Sequence, residues 1–209
     1  MRLAGRGLGV FVLALLCALP SLSASAVCPP REDDVLTPWR QITWDDFRGG
    51  EPARLGPALA QITTAVNLEG IGMEAEEVEP GRWVATVREI CLFAAMNKLH
   101  SSRKPEARKP DALKHEQVHF DIAEVTARQL HPKLMVLEAE GSSQQKAKAA
   151  LHKKLRETTI RAHRELDQLQ RTYDEKTYHG TVWMMQRKWN RKVERWLEET
   201  PSPYPSKGD

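Results

Sequence analysis

The 209-residue chain has only three cysteines, Cys17, Cys28 and Cys91, and no C-x-x-C spacing among them. That absence argues against a dithiol redox motif and against a cysteine-held zinc cluster. No internal repeat is visible, so an array or solenoid is not expected. The formal net charge is only +3, and near-neutrality argues against a nucleic-acid partner. The apolar run from Leu8 to Leu19 is short and ends at Pro20, which disfavours a membrane span. A third histidine just downstream, in the pattern H-x-x-G-x-x-H, is also missing after His119.

What the chain does have is H-E-x-x-H, at His115-Glu116-Gln117-Val118-His119. On a helix the two histidines lie one turn apart on one face, because 3.6 residues make a turn. Two imidazoles so placed can close on one Zn²⁺ at about 2.0–2.1 Å each. Glu116 can face the same metal without binding it, and act as general base on a zinc-activated water and later as acid to a leaving amine. Local features favour a helix here: Asp111 as N-cap after Pro110, apolar Leu113, Val118, Ile122 and Val125, and Ala112, Ala123 and Ala127 as helix formers.

A catalytic zinc ordinarily takes three protein ligands and keeps one position open. On the motif helix, Asp121 points away and Glu124 reaches poorly, so the third ligand is expected from another element. The polar stretch Tyr173-Asp174-Glu175-Lys176-Thr177-Tyr178-His179-Gly180 reads as a break between helices that concentrates a histidine and two carboxylates. His179 ranks first, Asp174 second and Glu175 last. A carboxylate that does not bind the metal is free to orient a ligand histidine. Tyr173 or Tyr178 is a candidate to stabilise a developing oxyanion. His100 and His131 are weaker choices, and His152 and His163 read as solvated.

Residues 1–26 read as a secretory signal: Arg2 and Arg6, the apolar run, then Ala24-Ser25-Ala26 as the cleavage site. Processing there leaves 209 − 26 = 183 residues with a net charge of 29 − 28 = +1. The expected location is the periplasm or the exterior, with no stable membrane insertion after cleavage. In such an oxidising compartment Cys28 and Cys91 can pair as one disulfide. Charge is uneven: residues 31–100 carry 7 basic and 12 acidic side chains, residues 143–199 carry 14 and 8.

The expected fold class is α+β in a single domain over residues 27–200. Residues 27–38 read as a polar arm. Residues 39–96 read as a small, mostly antiparallel sheet, with strands near Trp39–Phe47, Ala60–Leu68 and Arg82–Met96, the last alternating Trp83, Ala85, Val87, Glu89 and Cys91 against its other face. Residues 111–200 read as the helical part. The motif helix is expected from Asp111 to Leu130, stopping near Pro132, with residues 133–140 as an extension after a kink. A long helix follows from Gln144 to Tyr173, and another from Thr181 to Glu199. Trp44, Trp183, Trp189 and Trp196 read as packing residues, and residues 201–209 as a disordered tail.

Trp44-Asp45-Asp46-Phe47, Thr63-Thr64, the run His115 to Glu124 (H-E-Q-V-H-F-D-I-A-E), Tyr173 to Gly180 and Gln186 to Trp189 together resemble the bacterial domain-of-unknown-function family 922, described as a predicted secreted zinc-dependent protease. The resemblance spans roughly residues 39–198. It implies a zincin-like helical part, one Zn²⁺ per chain, and a peptide or protein substrate. The alternative is a non-catalytic zinc-binding envelope protein that works by holding a partner.

Overall fold

The computed structural model describes residues 33–36, 38–50, 58–107 and 109–203. The expected signal segment, Cys28 and residues 204–209 lie outside that set. In chain order the elements are β1 (Val35–Leu36), a 3-10 turn (Trp44–Asp46), β2 (Ala60–Gln61), β3 (Thr64–Glu79), β4 (Arg82–Asn97), β5 (Ser102–Arg103), α1 (Pro110–Met135), β6 (Glu138–Gly141), α2 (Gln144–Thr177) and α3 (Trp183–Glu199). This is the α+β class expected, an antiparallel sheet followed by three helices.

The sheet is built on one long hairpin. β3 and β4 pair antiparallel along their length. The other edge of β4 takes β6 near its start (Trp83↔Gly141 to Thr86↔Glu138) and β1 at its end (Val35↔Asn97, Leu36↔Met96). β2 and β5 form a separate pair. Alternation along β4 is not continuous. The buried core residues are Ala85 and Val87, then Ile90, Leu92, Ala94 and Met96. The phase changes because Gly72 pairs with Glu89 and Met73 with Val87, leaving Arg88 as an extra residue. A bulge of this kind turns the following side chains to the opposite face. Cys91, Phe93 and Ala95 thereby form a second small cluster with Val35 on the far side. Cys91 is disulfide-bonded.

The helices cover the main face. α1 brings Val118, Phe120, Ile122, Ala123, Ala127, Leu130 and Leu134 into the core, and α2 brings Ala147, Leu151, Leu155, Ala162, Leu166 and Tyr173. Full burial of a side chain such as Phe120 or Ile122 is worth about 1.5–3 kcal/mol.

Several expected boundaries move. The segment Trp39–Phe47 holds no strand: the Asp46 carboxylate accepts from the Thr43 N–H (2.8 Å) and hydroxyl (3.2 Å) and closes a turn. The arm contributes β1. β3 continues to Glu79, since its acidic residues pair outward with arginines. α1 starts at Pro110 after Lys109, so Asp111 sits in the first turn, where its charge suits the helix dipole. α1 passes Pro132 and ends three residues later, so the proline costs one hydrogen bond in its last turns only. Residues 138–141 form a strand, with Ala139 buried opposite Ala85. Gly141 is required there, because a Cβ would stand 2.3 Å from the Ala147 nitrogen on α2. α2 runs on to Thr177, since Tyr173 and Thr177, one turn apart, are both fully buried. The stretch from Tyr173 is therefore helix end and turn, not a loop. Trp189 is buried and Trp44 and Trp196 half-buried, but Trp183 is 62% exposed at the start of α3, beyond the reach of the core. His163 is half-buried and meets the Val66 carbonyl at 2.7 Å, so it is not simply solvated.

Candidate metal centre

His115 and His119 lie on the buried face of α1, and Asp174 on the last turn of α2 faces them. Asp174 Oδ1 is 3.0 Å from His115 Nε2 and 3.0 Å from His119 Nε2. Ligand atoms from these three residues all lie within 4.8 Å of one another. His115 and His119 are 4% and 8% exposed.

The hydrogen bonds around the rings decide which nitrogens carry protons. His119 Nδ1 meets Gln170 Oε1, and Gln170 Nε2 donates to the His119 carbonyl (2.9 Å) and the Thr64 hydroxyl (3.3 Å). A backbone carbonyl only accepts, so the orientation of the Gln170 amide is fixed. His115 Nδ1 meets Gln186 Oε1 at 3.0 Å. The Tyr173 hydroxyl donates to the His115 carbonyl (3.2 Å), so it must accept from Gln186 Nε2 (2.6 Å), which also donates to Asn190 Oδ1 (2.7 Å). Both Nδ1 atoms therefore donate, and in neutral imidazoles both Nε2 atoms present bare lone pairs. Two lone pairs and a carboxylate oxygen converge, a set of acceptors that suits a cation. Two imidazoles and a carboxylate are a donor set able to hold a divalent metal ion.

Electrostatics follow the same geometry. Burial pushes the Asp174 carboxyl up, but when the two imidazoles are protonated their Nε2–H hydrogen bonds outweigh it and hold the group well below the usual carboxylate range. Burial lowers His119, yet the Asp174 hydrogen bond and the Glu116 charge leave it above an ordinary imidazole. Burial raises Glu116, against the pull of the two histidines. Glu116 Oε2 accepts from the Ile62 N–H at 2.9 Å, which ties the motif to the segment between β2 and β3. That segment, Glu116, both histidines, Gln170, Asp174 and His179 line one cavity of about 470 Å³.

The other candidates fall around this trio. His179 lines the cavity but is 37% exposed at its side chain, with Nδ1 3.5 Å from Asp174 Oδ1, outside the three-residue cluster. Tyr178, His179 and Gly180 all have left-handed backbones, with φ of 47°, 52° and 80°. A Cβ at Gly180 would stand 3.1 Å from the His115 ring on a backbone of positive φ, so any other residue there is crowded and strained. Tyr173 packs its ring on His115 (4.7 Å) and its hydroxyl is already engaged, so it supports the histidines rather than facing the cavity. Burial holds its phenol far above the ordinary value. Tyr178 is 59% exposed and Glu175 is exposed. His100 is exposed, and His131 is half-buried on α1, its imidazole lowered by burial. Cys28, the expected partner of Cys91, lies outside the described residues.

Sequence reasoning gave Gln170 no role and placed Gln186 only within the Gln186–Trp189 motif. A signal for Gln170 was present: it precedes Asp174 by one helical turn, as His115 precedes His119. Behind the site, Gln117 receives the Ile42 N–H (2.7 Å), and Asp121 receives Gln117 and the Trp39 indole (2.8 Å each), so the N-terminal segment is clamped to α1.

An α+β chain with a two-histidine, one-carboxylate cluster beside a buried glutamate is the class these features define. Residues 103–180 match the family described as bacterial protein of unknown function (DUF922). The match takes in α1, α2 and the turn to Gly180, hence every residue of the cluster. No curated protein and no solved structure matches the chain.

Proposed function

We propose that the chain is a zinc-dependent peptidase acting outside the cytoplasm, with His115 Nε2, His119 Nε2 and Asp174 as the zinc ligands and Glu116 as the proton carrier. The observation that carries this reading is the pair of Nε2 lone pairs, freed by Gln170 and Gln186, that meet one carboxylate oxygen beside Glu116. Asp174 takes precedence over His179 because its oxygen is equidistant from both imidazoles, whereas His179 stands at the rim. Zinc, when bound, supplies a Lewis acid that polarises a carbonyl and makes water nucleophilic near neutral pH. Glu116, raised by burial, takes the proton of the attacking water on its carboxylate and delivers it to the departing amine, while Ile62 holds Oε2 in place. The Ala58–Thr64 segment forms the opposite wall against which an extended peptide would lie. The disulfide at Cys91 suits an oxidising compartment.

A second reading draws on the 3.5 Å approach of His179 to Asp174. If His179 closes the fourth position, the site is structural and the chain acts by holding a partner. Glu116→Gln separates the two. The peptidase reading expects the variant to keep its zinc and to lose peptide hydrolysis by at least about a hundredfold. Hydrolysis of unstructured peptides at the parent rate by that variant would refute the mechanism, and zinc retention with no hydrolysis by the parent would favour the structural site.

A further inference from the structure

Eight large hydrophobic side chains are exposed among the described residues, and four of them, Tyr178, Val182, Trp183 and Met184, fall within seven consecutive positions. Trp183 and Met184 are 62% and 57% exposed, more than any core role allows. Exposed apolar patches of this density mark an interaction surface. The charge beside the patch is mainly basic. Lys176 precedes it, and Arg187, Lys188 and Arg191 follow on α3, all exposed, against one exposed acid, Glu175. Arg187 lies over the Trp183 ring at 5.6 Å. No helix among the described residues is long and apolar enough to cross a membrane.

We infer that this end of the molecule docks on an anionic lipid surface. The chemistry is that of the membrane interface: amphipathic Trp and Tyr rings at headgroup level, an adaptable Met and a Val beside them, and cations that pair with lipid phosphates. A protein partner would account for the apolar residues, but the excess of exposed Lys and Arg beside them favours a surface of negative charge. The inference does not depend on zinc or on hydrolysis. It has a consequence for both, because Tyr178 and His179 share one turn, so docking holds the cavity rim close to the lipid.

Co-sedimentation of the full chain, as it accumulates in its host, with vesicles of phosphatidylcholine alone and of equal parts phosphatidylcholine and phosphatidylglycerol tests this. Every variant shares the same N-terminal segment, so any contribution from there cancels. The anionic vesicles should retain the parent and the neutral ones should not. The exposed pair Trp183→Ser with Met184→Ser should lower retention about tenfold. Arg187→Gln and Lys188→Gln should each lower it about fivefold, as added salt should. Thermal unfolding of the variants should match the parent, since none of these side chains is buried. No retention of the parent, equal retention of the variants, or self-association that Trp183→Ser abolishes in the absence of lipid would each overturn the proposal, the last by showing that a second copy covers the patch.

Discussion

The tip of the β3–β4 hairpin and the buried end of the helices hold charged and polar groups under opposite rules. At the tip, Glu74, Glu76 and Glu79 pair with Arg82 and Arg88, and all are about half exposed or more. Water screens such pairs, and their loss is nearly free. At the buried end, His115, Tyr173, Gln186 and Asn190 are each under 9% exposed, and their hydrogen bonds interlock from α1 to α3. There a group that loses its partner keeps the full cost of its desolvation. A chain that needed only stability would fill that space with hydrocarbon, so the polar packing sets this end apart from the tip.

The contrast can be broken at its strongest point first. Gln186→Ala removes the acceptor of His115 Nδ1 and the donor to both the Tyr173 hydroxyl and Asn190 Oδ1. Zinc affinity should fall about 10–100-fold. Stability should fall by about 1–3 kcal/mol. Competition with a chelator and denaturant unfolding would read the two effects separately. Gln186→Glu, which keeps an acceptor for Nδ1, should recover more of the metal affinity than of the stability.

An intermediate effect is expected at Asp46, which is 5% exposed and bound by Arg40 and Thr43. Burial alone would raise this carboxyl, but the Arg40 and Thr43 hydrogen bonds outweigh it and hold it below 3.8. A depressed carboxylate stabilises the fold above its unfolded value and loses that contribution as pH falls through the folded one. Asp46→Asn should therefore cost about 1–2 kcal/mol at neutral pH. The gap between variant and parent should close on acidification below 3.8. Unfolding curves at neutral and acid pH would check it. A gap that widened in acid would reverse the sign assigned to Asp46.

The smallest effect belongs to the hairpin tip. Arg88→Ala, which removes the pairs to Glu74 and Glu76, should leave stability within about 0.5 kcal/mol of the parent and metal binding unchanged. A loss of zinc there would show that the two regions are coupled and that the contrast is too sharp.

The parts of this molecule legible in its sequence are those with a local period. α2 announced itself by Leu151, Leu155, Ala162, Leu166 and Tyr173, and α3 by Trp189, Val193 and Trp196. The two long strands were recognisable, though not the bulge at Arg88, which only the pairing with Gly72 and Met73 reveals. β1 and β6, two and four residues long, exist because β4 offers a free edge, and no local pattern encodes that. For the site, the His115–His119 spacing set two positions on α1. The choice between Asp174 and His179 turned on where α2 ends, and a buried Thr177 carries the helix past Asp174. Gln170 and Gln186 look like solvent-facing residues until the rings they hold are seen.

The central claim is that Asp174, with His115 and His119, completes the metal set. Zinc content of the purified protein, with the His115→Ala, Asp174→Asn and His179→Ala variants prepared alongside it, tests this most directly. The account predicts one zinc per chain in the parent and in His179→Ala, and none in the other two. Zinc retained by Asp174→Asn and lost from His179→Ala would contradict it, and no zinc in the parent after reconstitution would remove the metal centre altogether.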